Sequence, residues 1–227
     1  MYPALLLLPA MLVGALAIIT LVLVKGDICP GQRGRLHKLL PAIAALWLAC
    51  ALFAIESLAI AGGIVYFYSQ VETKKTRQIG PLWLLYGVNG LGLFSVMVNS
   101  FQLGGVALVM QQILWGAVSG ALFAHLLLIQ ARSRLQAFHR ILPAFGIVSL
   151  MVLVIALAMQ AWGLGETVVN EKIVQLGLGF VLSIGAALIW CWHIVRQVTV
   201  NKLMVAAAMV LMFGANTALL PLFAFTV

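Results

Sequence analysis

Long apolar runs separated by short polar connections dominate the chain. Seven runs have the length of about 20 residues that a membrane-crossing helix needs, and they cover residues 3–24, 39–63, 81–101, 105–131, 141–163, 173–196 and 203–226. No extended polar segment separates them, so residues 1–227 are expected to form a single integral membrane domain. The pattern predicts an all-α, polytopic helix bundle with about seven transmembrane helices.

The composition excludes the main competing fold classes. Only 8% of the residues are charged and 64% are hydrophobic, whereas soluble domains carry about 25% charged residues. A soluble or disordered chain is therefore excluded. An outer-membrane barrel is disfavoured because its strands alternate polar and apolar residues in short segments.

The basic residues bear on orientation and partners. The net charge is +8, but the basic residues fall in short connections, where they act as topology signals and contact lipid headgroups. The expected partner is therefore the lipid bilayer and not nucleic acid. With seven spans, the even-numbered connections hold eight basic residues and the odd-numbered ones five. This count predicts a cytoplasmic N-terminus and an outside C-terminus, and the short connections suit a bacterial inner membrane.

A short repeat occurs 102 residues apart. Residues 36–42 read LHKLLPA and residues 138–144 read FHRILPA. Three predicted spans separate the copies, which would give them opposite orientations, as in the inverted repeats of transporters. The sequence thus predicts a 3+3 inverted repeat plus one helix. The alternative is that both copies are basic helix starts with proline in the first turn, where proline is tolerated.

Four polar residues inside the apolar runs are the candidate pathway residues: Glu56, Asn89, His125 and Asn216. On the seven-span topology, Glu56, Asn89 and His125 lie at a common depth, roughly 9–12 Å from the cytoplasmic boundary. Because burying three polar groups separately is costly, they are expected to share one pocket. Glu56 would be its titratable centre and His125 its proton partner. The alternative role for the asparagines is hydrogen bonding between helices.

Other residues indicate packing or cofactor chemistry. Gly116 and Gly120 form a GxxxG pattern, which predicts a close helix contact. His125 and His193 lie on separate spans and are a weaker candidate pair of axial ligands for a b-type haem. The three cysteines show no metal-binding spacing. No metal and, apart from the haem alternative, no cofactor is expected.

Three functions remain open at this point. The leading one is a transporter or channel for a small solute or ion, supported by the polar residues within spans and the repeat. The second is a non-catalytic subunit that stabilises a partner membrane protein or a homo-oligomer. The third is a haem-bearing electron carrier. The sequence has no phosphate-binding loop, nucleophile elbow or zinc-protease motif, so an enzyme is not expected.

Overall fold

The computed structural model describes residues 7–26, 28–73, 80–131 and 136–222, and within these ranges the chain is helical without a strand. The helices are α1 Leu7–Lys25, α2 Pro30–His37, α3 Leu40–Cys50, α4 Ser57–Thr73, α5 Leu82–Gln130, α6 Gln136–Leu164, α7 Glu166–Glu171, α8 Ile173–Val195 and α9 Lys202–Leu219. By length and apolar composition, α1, α5, α6, α8 and α9 can cross a membrane.

Helix α5 consists of two arms that meet at Gly104 and Gly105, where the backbone leaves helical geometry. Gly105 has φ 61°, in the left-handed region that glycine enters without a steric penalty. The first arm, α5a, covers residues 82–103, and the second arm, α5b, covers residues 106–130. These arms correspond to the predicted spans 81–101 and 105–131.

Contacts with α1 show that the two arms run in opposite directions. Asn89 of α5a donates a hydrogen bond to Thr20 near the end of α1 (3.0 Å). Gly92, further along α5a, lies against Val13, which is earlier in α1, so α5a is antiparallel to α1. In α5b, the Trp115 indole donates to the Leu7 carbonyl at the start of α1 (3.1 Å).

Glycines bring α1 and α5b into backbone contact. Gly116 lies against Ala10 and Gly14, and the next turn of α5b, at Gly120, lies against Gly14 and Ala15. Higher residue numbers in α5b therefore lie beside higher residue numbers in α1, so the two helices are parallel. Helices in lipid associate through such close packing of small residues, because lipid tails supply no hydrophobic drive between helices. The GxxxG residues thus have α1 as their partner.

The prediction of a single span over residues 39–63 is wrong. Helix α3 ends at Cys50, residues 51–56 form a turn, and α4 begins at Ser57 and continues past residue 63. The two helices pack side by side: His37, just before α3, contacts the ring of Phe67 in α4, with centroids 5.7 Å apart. The chain therefore returns to the end of the bundle from which it entered. The sequence of the turn is ALFAIE. Because five of these six residues are apolar, the turn does not interrupt the hydropathy pattern.

The helices define two ends of the bundle. At one, called the basic end, α1, α4, α5b and α8 finish, and α5a, α6 and α9 begin. The meeting of His193 in the last turn of α8 with His139 in the first turn of α6 marks this end. The other, called the α7 end, holds helix α7 and the Gly104–Gly105 turn. Both Leu7 and Leu222, the first and last described residues, lie toward the α7 end.

The inverted repeat is also wrong in its orientation. Gly14 and its counterpart Gly116, 102 residues later, sit on helices that run parallel and touch each other. The reason is the α3–α4 hairpin, which adds a pass that the seven-span count lacks. The two copies of the repeat also differ in the helix that follows them. The first copy leads into the 11-residue α3, and the second leads into the 29-residue α6.

Candidate functional site

Three histidines and a tryptophan meet near the basic end. His125 comes from α5b, His139 from the first turn of α6, and Trp190 and His193 from the last part of α8. His125 and Trp190 are fully or almost fully buried, and His193 is buried as well. The ring centroid of His125 lies 5.1 Å from that of His139 and 5.8 Å from that of His193. We call these four residues the histidine cluster.

Hydrogen bonds determine where His125 carries its proton. The Trp190 indole N–H donates to His125 Nδ1 (2.9 Å), and an indole nitrogen can only donate. The neutral His125 ring must therefore hold its proton on Nε2. That nitrogen lies 3.0 Å from His139 Nδ1, so His125 donates to His139. The proton on His125 Nε2 therefore lies in the hydrogen bond between the two rings.

His193 joins two helices through its ring. Its Nδ1 lies 2.9 Å from the Trp190 carbonyl and its Nε2 lies 3.0 Å from the His139 carbonyl. Carbonyl oxygens only accept hydrogen bonds, so a ring protonated on both nitrogens satisfies both contacts. His193 thus links the end of α8 to the start of α6.

Trp190 is held in place by a glycine. The edge of its indole ring lies directly on Gly146 of α6, where a methyl group would overlap it. The absence of a side chain at Gly146 therefore makes room for the ring that caps His125. The position of this tryptophan couples α5b, α6 and α8.

An open pocket of about 1050 Å³ adjoins the cluster at the basic end. His139 and His193 form part of its wall, together with Arg140, Gln197 and Thr199. Because His139 also contacts His125, the pocket is connected by one hydrogen bond to a titratable ring in the interior.

A second polar site lies deeper, toward the α7 end. Gln111 of α5b donates to Asn216 of α9 (2.5 Å). The two side chains and Ser183 line a small cavity of about 10 Å³, otherwise walled by leucine, valine and phenylalanine. Gln111 Oε1 and Asn216 Nδ2 are buried and have no hydrogen-bond partner among the described residues. A cavity of this size holds about one water molecule, which could bond to both atoms.

The expected common pocket of Glu56, Asn89 and His125 is not formed. Glu56 accepts hydrogen bonds from Ser95 (2.8 Å) and Asn99 (2.7 Å). Asn89 bonds instead to Thr20 and to its own helix. The reason is the α3–α4 hairpin, whose turn carries Glu56 toward the α7 end, whereas His125 lies near the basic end. Each of the three polar groups therefore has its own separate partners, and Asn89 Oδ1 is buried without a hydrogen-bond partner among the described residues.

The cluster includes two residues whose role the sequence analysis missed, His139 and Trp190. A usable signal exists in the span boundaries. His125 lies near the end of one predicted span, His139 just before the start of the next, and His193 near the end of the one after. Consecutive spans alternate in direction, so all three positions fall at the same end of the bundle. Trp190, three residues before His193, lies on the same face of α8.

The two histidines considered as haem ligands, His125 and His193, do lie close together. However, each ring has both nitrogens within hydrogen-bond distance of protein atoms. In this arrangement neither offers a free nitrogen to an iron, so the residues do not fit haem. No group of three or more His, Cys, Asp or Glu side chains suited to a metal ion occurs in the described parts of the chain.

His37 is a buried histidine outside the cluster and outside the long spans. It is 3% exposed, and neither ring nitrogen has a hydrogen-bond partner in the described structure. Burial, and secondarily the charge of Arg33, lowers the pKa of His37 to about 4 from 6.5. The folded protein therefore holds this ring neutral at pH values where the unfolded chain protonates it.

We expect this histidine to make stability depend on pH. Between pH 6.5 and 4 the unfolded chain binds more protons at His37 than the folded chain, so the free energy of unfolding falls as the pH falls through that window. Above pH 6.5 this contribution is constant. The His37→Phe variant should show a smaller decrease in melting temperature between pH 7 and pH 5 than the wild type in detergent. An equal decrease in both proteins would contradict the assignment.

Comparison with known proteins identifies a family for the chain. Residues 5–225 match a family described as an integral membrane domain. An uncharacterized protein of Haemophilus influenzae is 29% identical over 193 residues, which cover 80% of this chain and 72% of that protein. No solved structure matches. The family match spans almost the whole chain and agrees with the helices that can cross a membrane, so the chain belongs to this family of integral membrane domains.

Proposed function

We propose that the protein is a multi-pass membrane transporter that couples the movement of a small solute to the movement of a proton. The observation that carries this proposal is the hydrogen bond between His139, in the wall of the open pocket, and His125, in the interior. Ionisable residues within membrane spans are costly and commonly mark proton or substrate pathways. Here one such group is fully buried, yet only one hydrogen bond separates it from the pocket.

The cluster can couple protonation to helix packing. His125 Nδ1 accepts the Trp190 N–H, so an additional proton can bind at that nitrogen only if the indole moves away. Trp190 also packs on Gly146, so its displacement would alter the contact between α8 and α6. Protonation of His125 would therefore favour a second arrangement of these helices, as a two-state transport cycle requires.

On α8, a buried alanine lies between the cluster and the second polar site. Along the interior face of α8, Ser183 in the small cavity is followed by buried Ala186 and then by Trp190. Seven residues of helix correspond to about 10 Å. The arrangement suits a closed state in which a solute cannot pass freely between the two polar regions, and it favours a transporter over an open channel.

The arrangement of the helices supports an orientation different from the seven-span one. Of the eight basic residues that the structure describes, seven lie in α2 or at helix ends and connections at the basic end, and Lys172 is the remaining one. The positive-inside rule then places the basic end in the cytoplasm, with both termini outside. The earlier expectation of a cytoplasmic N-terminus counted the α3–α4 hairpin as one crossing. The outside C-terminus and the bacterial inner membrane stay part of the proposal.

Proton flux into liposomes tests the function. The purified protein is reconstituted with an internal pH-sensitive dye, and proton entry is recorded after external addition of an anion (inorganic phosphate), a cation (choline) or a neutral solute (glycerol). The wild type should show proton entry above empty liposomes with at least one of these solutes. The His125→Gln variant should fall to that background, because glutamine does not titrate in this range.

The His37→Gln variant is the matched control, since it removes a buried histidine outside the cluster. It should retain proton entry. Wild-type flux at the background level, or equal flux in the wild type and the His125→Gln variant, would overturn the proposal.

A further inference from the structure

We infer that the open pocket at the basic end binds an anion, a solute or headgroup that carries phosphate or carboxylate, with Arg140 as the principal contact. This inference names a substrate class for the proposed transporter and in that respect rests on the proposed function. Binding itself requires only the pocket.

Among the side chains that the structure describes, the charges around the pocket are unbalanced. Arg140 lies in its wall beside His139 and His193. The acidic residues whose side chains the structure describes are Glu56 in the hairpin turn and Glu166 and Glu171 in α7. All three lie toward the α7 end, far from Arg140. Within the described part of the chain, no carboxylate is therefore placed to neutralise the pocket.

The remaining polar wall supplies hydrogen-bonding groups to the same space. Gln197 and Thr199 follow the end of α8 and line the pocket. Gln197 has φ 53° and is the one non-glycine residue with positive φ in the described structure. Such a conformation is uncommon for a residue with a side chain, and strained residues of this kind cluster at ligand sites.

The geometry of the groups favours an oxyanion. A guanidinium offers a planar fork of donors that matches the oxygen atoms of phosphate or carboxylate. Both ring nitrogens of His193 are already within hydrogen-bond distance of backbone carbonyls, so Arg140 remains the principal donor to the pocket. The volume of about 1050 Å³ is slightly above the usual range for small-molecule sites. It accommodates a free phosphate compound or the headgroup of an anionic lipid.

Binding to the full-length protein in detergent tests the inference. The two probes are inorganic phosphate and a short-chain phosphatidylglycerol, which represent the soluble and the lipid source of the same chemistry. Saturable binding of either probe, measured by calorimetry, is expected for the wild type. The Arg140→Gln variant should bind at least about tenfold more weakly, a loss within the range for one charged hydrogen-bonding partner. The Arg140→Lys variant should lie between the two, because it keeps the charge but not the fork.

A neighbouring arginine provides the control. Arg196 also lies at the end of α8, but its guanidinium rests over the Trp192 ring, 5.0 Å from the centroid, and it does not line the pocket. The Arg196→Gln variant should bind as the wild type does. Equal losses in the Arg140→Gln and Arg196→Gln variants, or no saturable binding of either probe, would overturn the inference.

The two proposals fail in distinguishable ways. The His125→Gln variant should still bind the probe while it loses proton entry, because His125 does not line the pocket. Binding that depends on Arg140, together with unchanged flux in the His125→Gln variant, would retain the anion site and remove the proton site. Proton flux that depends on His125, without any binding of the probes in the pocket, would retain the proton site and remove the anion site.

Discussion

Leucine at position 120 is expected to prevent stable assembly of the bundle. A Cβ atom on Gly120 would lie 2.6 Å from the backbone carbon atoms of Gly14 and 2.7 Å from the Ala15 nitrogen. These are backbone atoms, so no side-chain rotation relieves the overlap, and α1 and α5b must separate. We expect the Gly120→Leu substitution to lower the free energy of unfolding by about 3 kcal/mol or more. This is at or above the upper end of the usual cost of an overpacked core.

The measurement is the yield of monodisperse protein and its melting temperature in detergent. The Gly87→Leu variant is the control, because Gly87 lies on the other arm of α5 and a side chain there would meet nothing within 4 Å. It should purify and melt like the wild type. If the two variants behaved alike, the parallel contact between α1 and α5b would not exist.

Cysteine labelling should give an all-or-none result for orientation. Cys29 is free and exposed, just before α2 at the basic end. If the basic end is cytoplasmic, a membrane-impermeant maleimide will not label Cys29 in intact cells and will label it after permeabilisation. The measurement is best made in a Cys191→Ser background, because Cys191 is only partly buried.

A cysteine at the opposite end of the bundle gives the complementary labelling result. Asn170 is exposed in α7, at the opposite end of the bundle. The Asn170→Cys variant, in a background that also carries Cys29→Ser, should be labelled in intact cells. The reversed pattern, with Cys29 reactive and the Asn170→Cys site protected, would instead establish a cytoplasmic N-terminus.

The sequence predicted where apolar helices occur, but not where a helix reverses. Hydropathy measures the cost of placing residues in lipid, and the turn at residues 51–56 is almost as apolar as the helices on either side. The Gly104–Gly105 turn was visible because glycine interrupts the pattern there. Missing one reversal changed the direction of every helix before it relative to those after it. That error made the basic residues look nearly balanced between the two sides.

The candidate site was predictable only in part. Spacing along a helix gives the depth of a residue but not the helix that it faces. His125 and Asn216 were identified as buried polar residues, yet their partners, His139 and Gln111, depend on how α5b packs against α6 and α9. Glu56 was assigned the wrong depth because of the hairpin turn. Trp190 was missed as a partner of His125 because an indole donor resembles any other apolar residue in a hydropathy pattern.

The hairpin also bears on how such a chain could be divided. Residues 7–103 begin and finish at the α7 end, and residues 106–222 do the same. A cut at the Gly104–Gly105 turn would therefore leave two pieces whose described ends all lie at the α7 end. The parallel contact between Gly14 and Gly120 then lies between the pieces. Two separately synthesised halves could reassemble along that seam, and the whole bundle need not derive from one uninterrupted polypeptide.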